Sequence, residues 1–372
     1  MMDLLGIWPI FKVIFNLDIA KVGFLMAIAG FCGEACQLIF GHLSDKGYSK
    51  KLLILSFVSS SCILFLPLTN SYLVYFFLLL LFYLGSGAYH PAAANIASQF
   101  SAKRKGLMIT LFSSGGQVGA AFSQIAFVFF YHKTGGHIYL FLIPVYLLLF
   151  ILKKTDFALV RPTLSTEHSF SNMLAPFKDK KASIVLLYFS QVANQILFFG
   201  SIFLMPELLK SFGYPQWYVF GVGHMIYILG MAIVMIPVGY LADMVGEKKL
   251  VHICSVLSLA VFYIFLFFPP ASLVSVSILL FTLGGVLGSL NPMFLSYGHK
   301  LFPKNTGTVS AILMGFAWCA VYLSFGIIGV VVKKFGVQTT MLGMGSLIFV
   351  PIILMSLESV FAKKQKPVSV FH

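Results

Sequence analysis

Charge is what this chain has least of. Asp, Glu, Lys and Arg together make up 10% of 372 residues, against 59% hydrophobic. A soluble surface cannot be built from that balance, and a soluble reading is excluded. Acidic residues are scarcer still, 11 against 25 basic, for a net charge of +14. In a soluble protein that excess would suggest nucleic acid. Here the basic residues sit in short loops between long apolar runs, where they orient a polytopic membrane protein, so no nucleic-acid partner is expected.

Cysteines number five, Cys32, Cys36, Cys62, Cys254 and Cys319. All fall inside apolar runs, with no metal-ligand spacing in any loop, and read as small apolar fillers. No metal site or cofactor is expected. There is no Gly-rich loop ending in Lys-Ser/Thr to cradle phosphates, which argues against ATP drive. No Ser-His-Asp or metal-ligand arrangement supports a membrane enzyme. A basic leader with a small-residue cleavage site is also missing, so no cleavable signal peptide is expected.

What is present is a succession of apolar runs. Residues 1–15 are too brief for the ~20 residues a span needs, so the first helix reads as truncated. Spans 2 to 6 are expected at about 22–40, 52–68, 72–102, 106–131 and 137–152. A polar stretch with Arg161-Pro162 follows. Spans 7 to 12 are expected at about 182–206, 217–239, 250–268, 273–297, 307–332 and 337–357. The expected organisation is an N-terminal bundle (1–152), a cytoplasmic linker (153–181), a C-terminal bundle (182–360) and a cytoplasmic tail (361–372).

Two turns repeat. Gly41-His42-Leu43-Ser44-Asp45-Lys46-Gly47-Tyr48-Ser49-Lys50-Lys51 lies between spans 2 and 3. Gly239-Tyr240-Leu241-Ala242-Asp243-Met244-Val245-Gly246-Glu247-Lys248-Lys249 lies between spans 8 and 9, offset by 198 residues, since 243 − 45 = 198. Small glycines let helices turn and approach, and each Asp can accept from a neighbouring helix N-terminus. With these turns inside, 19 of 25 basic residues lie on the cytoplasmic side, which also places the C-terminus there. Asp45 and Asp243 are each expected to pair across the interface between the halves on the cytoplasmic side, stabilising the outward-facing state.

A second repeat marks spans 4 and 10. Gly87, His90 and Pro91 correspond to Gly288, Asn291 and Pro292, each pair 201 residues apart. A proline at depth in the bilayer frees a backbone carbonyl, tolerable only against protein or a water-filled cavity. Interrupted helices at matching positions of two halves point to a transport site.

Glu34 reads as the one carboxylate clearly inside a span, about 16 Å along the helix from Asp45. At that depth it must be protonated, paired or facing water, as a proton-coupling site requires. A structural hydrogen bond to a neighbouring helix is the alternative. Gln37 shares its face. His90 could bind substrate, relay protons or satisfy freed carbonyls, and Asn291 could do the first or the last. Gln191, Asn194 and Gln195 form a polar face on span 7, and Gln117 belongs to one on span 5. Such amides line a cavity or glue helices together. His224, near the outer end of span 8, is expected among lipid headgroups.

The repeated turns and the whole pattern of spans resemble the major facilitator superfamily. Within it, Gly85-Ser86-Gly87-Ala88-Tyr89-His90-Pro91, Arg104-Lys105-Gly106-Leu107, Phe112-Ser113-Ser114-Gly115-Gly116-Gln117-Val118-Gly119 and Pro303-Lys304-Asn305-Thr306-Gly307-Thr308-Val309-Ser310 resemble the fosmidomycin-resistance efflux group. The resemblance implies an all-α integral membrane protein of two pseudo-symmetric six-helix bundles. It also implies a proton-coupled carrier of small molecules in the cell (inner) membrane. Partners would be a small-molecule substrate, protons and the lipid bilayer, with the protein a monomer. A proton-coupled uptake symporter and a non-transporting carrier-derived protein remain open at this point.

Overall fold

Asp18 begins the first described helix. Its carboxylate accepts the backbone N–H of Lys21 at 2.9 Å, capping α1 (Ile19–Ala35). The computed structural model describes residues 16–69, 71–99, 105–135, 137–155, 175–302, 309 and 311–364. The expected short first helix, most of the linker and most of the tail lie outside them.

Past Cys36 the chain continues as α2 (Gln37–Leu43), turns through Ser44–Tyr48, and enters α3 (Ser49–Ser61), extended to Leu68 by a tighter 3₁₀ turn. Then come α4 (Tyr72–Gln99), α5 (Lys105–Lys133), α6 (Leu142–Lys154) and α7 (Lys181–Ser211). After these follow α8 (Gly223–Val245), α9 (Glu247–Phe267), α10 (Leu273–Leu301) and α11 (Ala317–Phe335). The last span is split into α12 (Val337–Gly345) and α13 (Phe349–Lys364). Every regular element among the described residues is helical. A bilayer demands this, since a helix satisfies its own backbone polar groups.

Nine of the described helical stretches are long and apolar enough to cross a membrane. Large side chains such as Ile143, Tyr146, Tyr240, Val274 and Ile327 are exposed on the helix exteriors. Tyr83, Tyr227, Phe199, Phe203, Phe294 and Phe325 fill the interior. In lipid an apolar exterior carries no penalty, so what holds helices together is close packing.

The packing repeats. Span 2 (α1) lies against span 4 (α4), as span 8 (α8) lies against span 10 (α10), and α3 packs on α4 as α9 packs on α10. The contact points correspond too. A Cβ on Gly87 would collide with the carbonyl of Gly33, and one on Gly288 with the side chain of Met231. Positions 33 and 231 differ by 198, and 87 and 288 by 201, the two sequence offsets. Between the halves, α1 packs on α11 and α5 on α8, a pair of contacts related by the same exchange.

Candidate functional site

Both charged turns reverse at a glycine with φ of +91°, but the register differs. In the first copy it is Gly47; in the second it is Gly246, one place beyond the position matching Gly47. Left-handed backbone selects glycine, so the requirement is kept while the residue carrying it slides. Gly41 packs against the ring of Pro91, with 3.7 Å from a notional Cβ to the proline, whereas Gly239 faces open space. The side chains of Asp45 and Asp243, and hence the expected pairing across the halves, lie outside the described residues.

The lysines of the turns work within their own halves. Lys50 donates to the carbonyls of Lys153 (3.1 Å) and Thr155 (2.7 Å), clasping α3 to the end of α6. Lys248 pairs with Glu358 of α13, which also accepts from the Tyr297 hydroxyl of α10 at 2.8 Å. Lys249 and Lys51 are exposed, the latter over the Tyr48 ring. Beside Lys248, Glu247 holds Lys300 at 2.5 Å and Ser296 at 2.8 Å. Glu358 corrects the expectation that Glu34 alone is a carboxylate clearly inside a span. The helix runs to Lys364, so a residue set one place beyond the expected boundary is fully buried.

Pro91 and Pro292 do not break their helices; α4 and α10 continue through them. Each removes one hydrogen bond, from the carbonyl four residues back, and those carbonyls belong to Gly87 and Gly288. A single lost bond is absorbed by the rest of a 28- or 29-residue helix.

At the second of these positions the structure gathers four expected cavity residues. Asn291 turns inward, and its Oδ1 accepts from Nε2 of both Gln191 and Gln195, the latter at 3.0 Å. Asn194 donates to the carbonyl of Leu287 at 3.2 Å. Gln191, Asn194 and Gln195 are buried and Asn291 is half-buried. His90, the counterpart of Asn291, is half-buried with its ring edge-on to Tyr89. Gln117 is half-buried on α5.

Glu34 is buried in α1 and accepts from Nε2 of Gln37, one turn on. Near it stand Tyr83 of α4 and Cys319 of α11, so both halves contribute to its surroundings. Tyr83 in turn meets Tyr322, ring centroids 5.0 Å apart, and Trp318 packs on Phe199 of α7 at 4.3 Å. An aromatic seam thus runs from the first half into the second. His224 is a second correction. It is 1% exposed rather than among headgroups, because the helical turn Tyr218–Val222 extends span 8 beyond it and carries it into the interior.

The halves also meet at the end of the molecule away from the charged turns. Opposite the charged turns, Asp18 takes the Lys333 ammonium at 2.8 Å, and Ile125 of α5 meets Gly221. Toward the turn end, Gly115 and Gly116 of α5 and Gly239 of α8 have no atom within 4 Å of a notional Cβ. Two repeated halves that meet through helices of each, with polar groups buried within them, have the architecture of a carrier. The family model described as "Major Facilitator Superfamily" matches residues 1–326. The chain belongs to that superfamily.

As a major facilitator protein it is a secondary transporter, not an enzyme. It is 23% identical over 349 residues to the fosmidomycin resistance protein of Escherichia coli (strain K12), covering 90% of this chain and 83% of that protein. The solved nucleoside transporter NupG superposes with a TM-score of 0.71 at 15% identity, covering 96% of this chain and 94% of that one. A variant of the E. coli fucose:proton symporter FucP superposes at 0.62 and 14% identity, covering 96% of each. At those identities the likeness is one of fold. Asp18, Lys333, Glu247, Glu358 and the aromatic seam escape sequence reading. Ion pairs far apart in the chain leave no local pattern, and a chain with 40 phenylalanines hides any particular one.

Proposed function

We propose that this superfamily member is a proton-coupled exporter of a small organic molecule in the cell membrane. In this reading the bundles 1–152 and 182–360 rock about the linker 153–181, with turns, linker and C-terminus cytoplasmic. Glu34, with His90 as relay, takes a proton when the cavity is open to one side and yields it on the other. The amides Gln37, Gln117, Gln191, Asn194, Gln195 and Asn291 hold the substrate. Gly41, Asp45, Gly47, Lys50 and Lys51, with Gly239, Asp243, Lys248 and Lys249, form the cytoplasmic gate.

The observation that carries the reading is Glu34. A carboxylate buried at mid-membrane is costly, and its neighbours, from both halves, are ones whose spacing changes if the halves rock. Export is favoured by the relative whose name is a resistance.

The test is flux in proteoliposomes under an imposed pH gradient, using compounds that an expressing host tolerates better than its parent. Wild type should concentrate substrate against its gradient, and Glu34→Gln should keep exchange at equal pH while losing the pH-driven component. Equal pH-driven flux in Glu34→Gln would refute the coupling role. Driven movement toward the turn side would refute export.

A further inference from the structure

The amide cluster between α7 and α10 has an imbalance that helix gluing does not explain. An amide brings two N–H donors and an acceptor oxygen with two lone pairs. Here Gln191 and Gln195 both spend a donor on one atom, Asn291 Oδ1. The orientation of Asn194 is fixed by its neighbour, since only Nδ2 can donate to the Leu287 carbonyl. Left over, buried and with no hydrogen-bond partner, are Gln191 Oε1, Asn194 Oδ1 and Gln195 Oε1. All three are acceptors, whereas each of the three amide nitrogens makes one hydrogen bond and keeps a second, neutral N–H to spare. Buried acceptors left unmade cost more than a typical hydrogen bond returns, so an arrangement concentrating three within five residues of one helix is a site awaiting donors.

From this we infer the chemistry of the substrate's polar end. It presents N–H or O–H donors, as a primary ammonium or a vicinal diol does, and carries no anionic group there. Three carbonyl oxygens attract a donor hydrogen and repel a carboxylate or phosphonate. The four side chains making the cluster supply no ammonium or guanidinium to reverse that sign. One turn further along α7 stand Phe198 and Phe199, the latter packed on Trp318, so a flat apolar body suits the other end. This inference rests on the carrier reading above and adds the class of substrate that this group of amides accepts.

The test uses four compounds sharing one phenyl body: 2-phenylethylamine, 3-phenylpropane-1,2-diol, 2-phenylethyl methyl ether and phenylacetate. Binding to the full chain in detergent is followed by tryptophan fluorescence and by the shift in Tm. The amine, the diol or both should bind at least about tenfold more tightly than the ether and the acid, the ratio expected for one net hydrogen bond. Which of the two does so tells ammonium from hydroxyl. Asn194→Leu, close in volume and without one of the three acceptors, should weaken the preference. Gln195→Glu, which keeps the shape and strengthens the acceptor while Asn291 turns its Nδ2 to replace the lost Gln195 donor, should hold or raise the amine's affinity and guards against a folding artefact in the first variant. Saturable binding by neither donor compound, equal binding of ether or acid, or an unchanged preference in Asn194→Leu would overturn the inference. Because Glu34→Gln tests coupling without touching these amides, wild-type pH-driven flux that disappears in Glu34→Gln, together with no donor preference in wild-type binding, would sink this inference alone.

Discussion

Glu358 has no exposed surface, yet its Oε2 takes both the Lys248 ammonium and the Tyr297 hydroxyl, while Oε1 has no partner. Removing one member of a fully buried pair costs about 3–5 kcal/mol. Lys248 retains 26% exposure, so the expected cost here is nearer ~2 kcal/mol. Lys248→Met should therefore lower Tm clearly, Tyr297→Phe less, and Lys248→Met combined with Glu358→Gln should recover most of the loss. Thermal unfolding of the purified chain reads all three, and an additive double variant would show the pair is not coupled. Glu34 and Gln37 are legible in the sequence because a contact at i, i+3 is a local property of a helix. Glu358 is not, because a boundary error of one residue decides whether a carboxylate at a helix end counts as buried.

Among helices, the contact of α1 with α11 is made of glycine. A Cβ on Gly23 would strike the carbonyl of Phe325, one on Gly30 the ring of Tyr322, and one on Gly329 the carbonyl of Ile19 at 2.7 Å. Backbone cannot swing aside as a side chain can. Gly23→Ala should thus push the helices apart and destabilise by about 1–3 kcal/mol, seen as a lower Tm. Gly116→Ala, in a helix interior where nothing lies within 4 Å, should leave Tm unchanged or raise it, since alanine favours the helix. A Tm unaffected by Gly23→Ala would mean the close approach is not kept in solution. The charged turns and the Gly-Pro pairs stand out in the sequence because they recur at offsets of 198 and 201. That their helices run on through proline does not, since sequence marks the missing donor but not whether its neighbours make up the loss.

For the molecule as a whole, the Asp18–Lys333 pair joins the two halves at the end away from the charged turns. The Lys333 ammonium, and then the Lys21 backbone N–H, hold the Asp18 carboxyl below its usual value of 3.8. A carboxyl so lowered contributes its full stabilisation above that value and loses it only as pH falls further. Acidifying that side from pH 7 to pH 5 should leave that end joined. Lys333→Gln should loosen it about equally at both pH values, by no more than ~1 kcal/mol for an exposed pair. Crosslinking of cysteines introduced beside the pair measures this; a joined fraction falling between pH 7 and pH 5 in wild type would contradict the assignment.

The same seam has a consequence for how the protein is made. Gly30 and its partner Tyr322 are separated by 292 residues of synthesis, 322 − 30. At about 5–20 residues per second the ribosome needs roughly 15–60 s to deliver one after the other. For that interval the grooved side of α1 sits in the bilayer with its docking partner unborn, open to wrong neighbours. Halves synthesised as separate chains should find each other through this groove, and a nascent chain halted before α11 should be the form that quality-control proteases recognise.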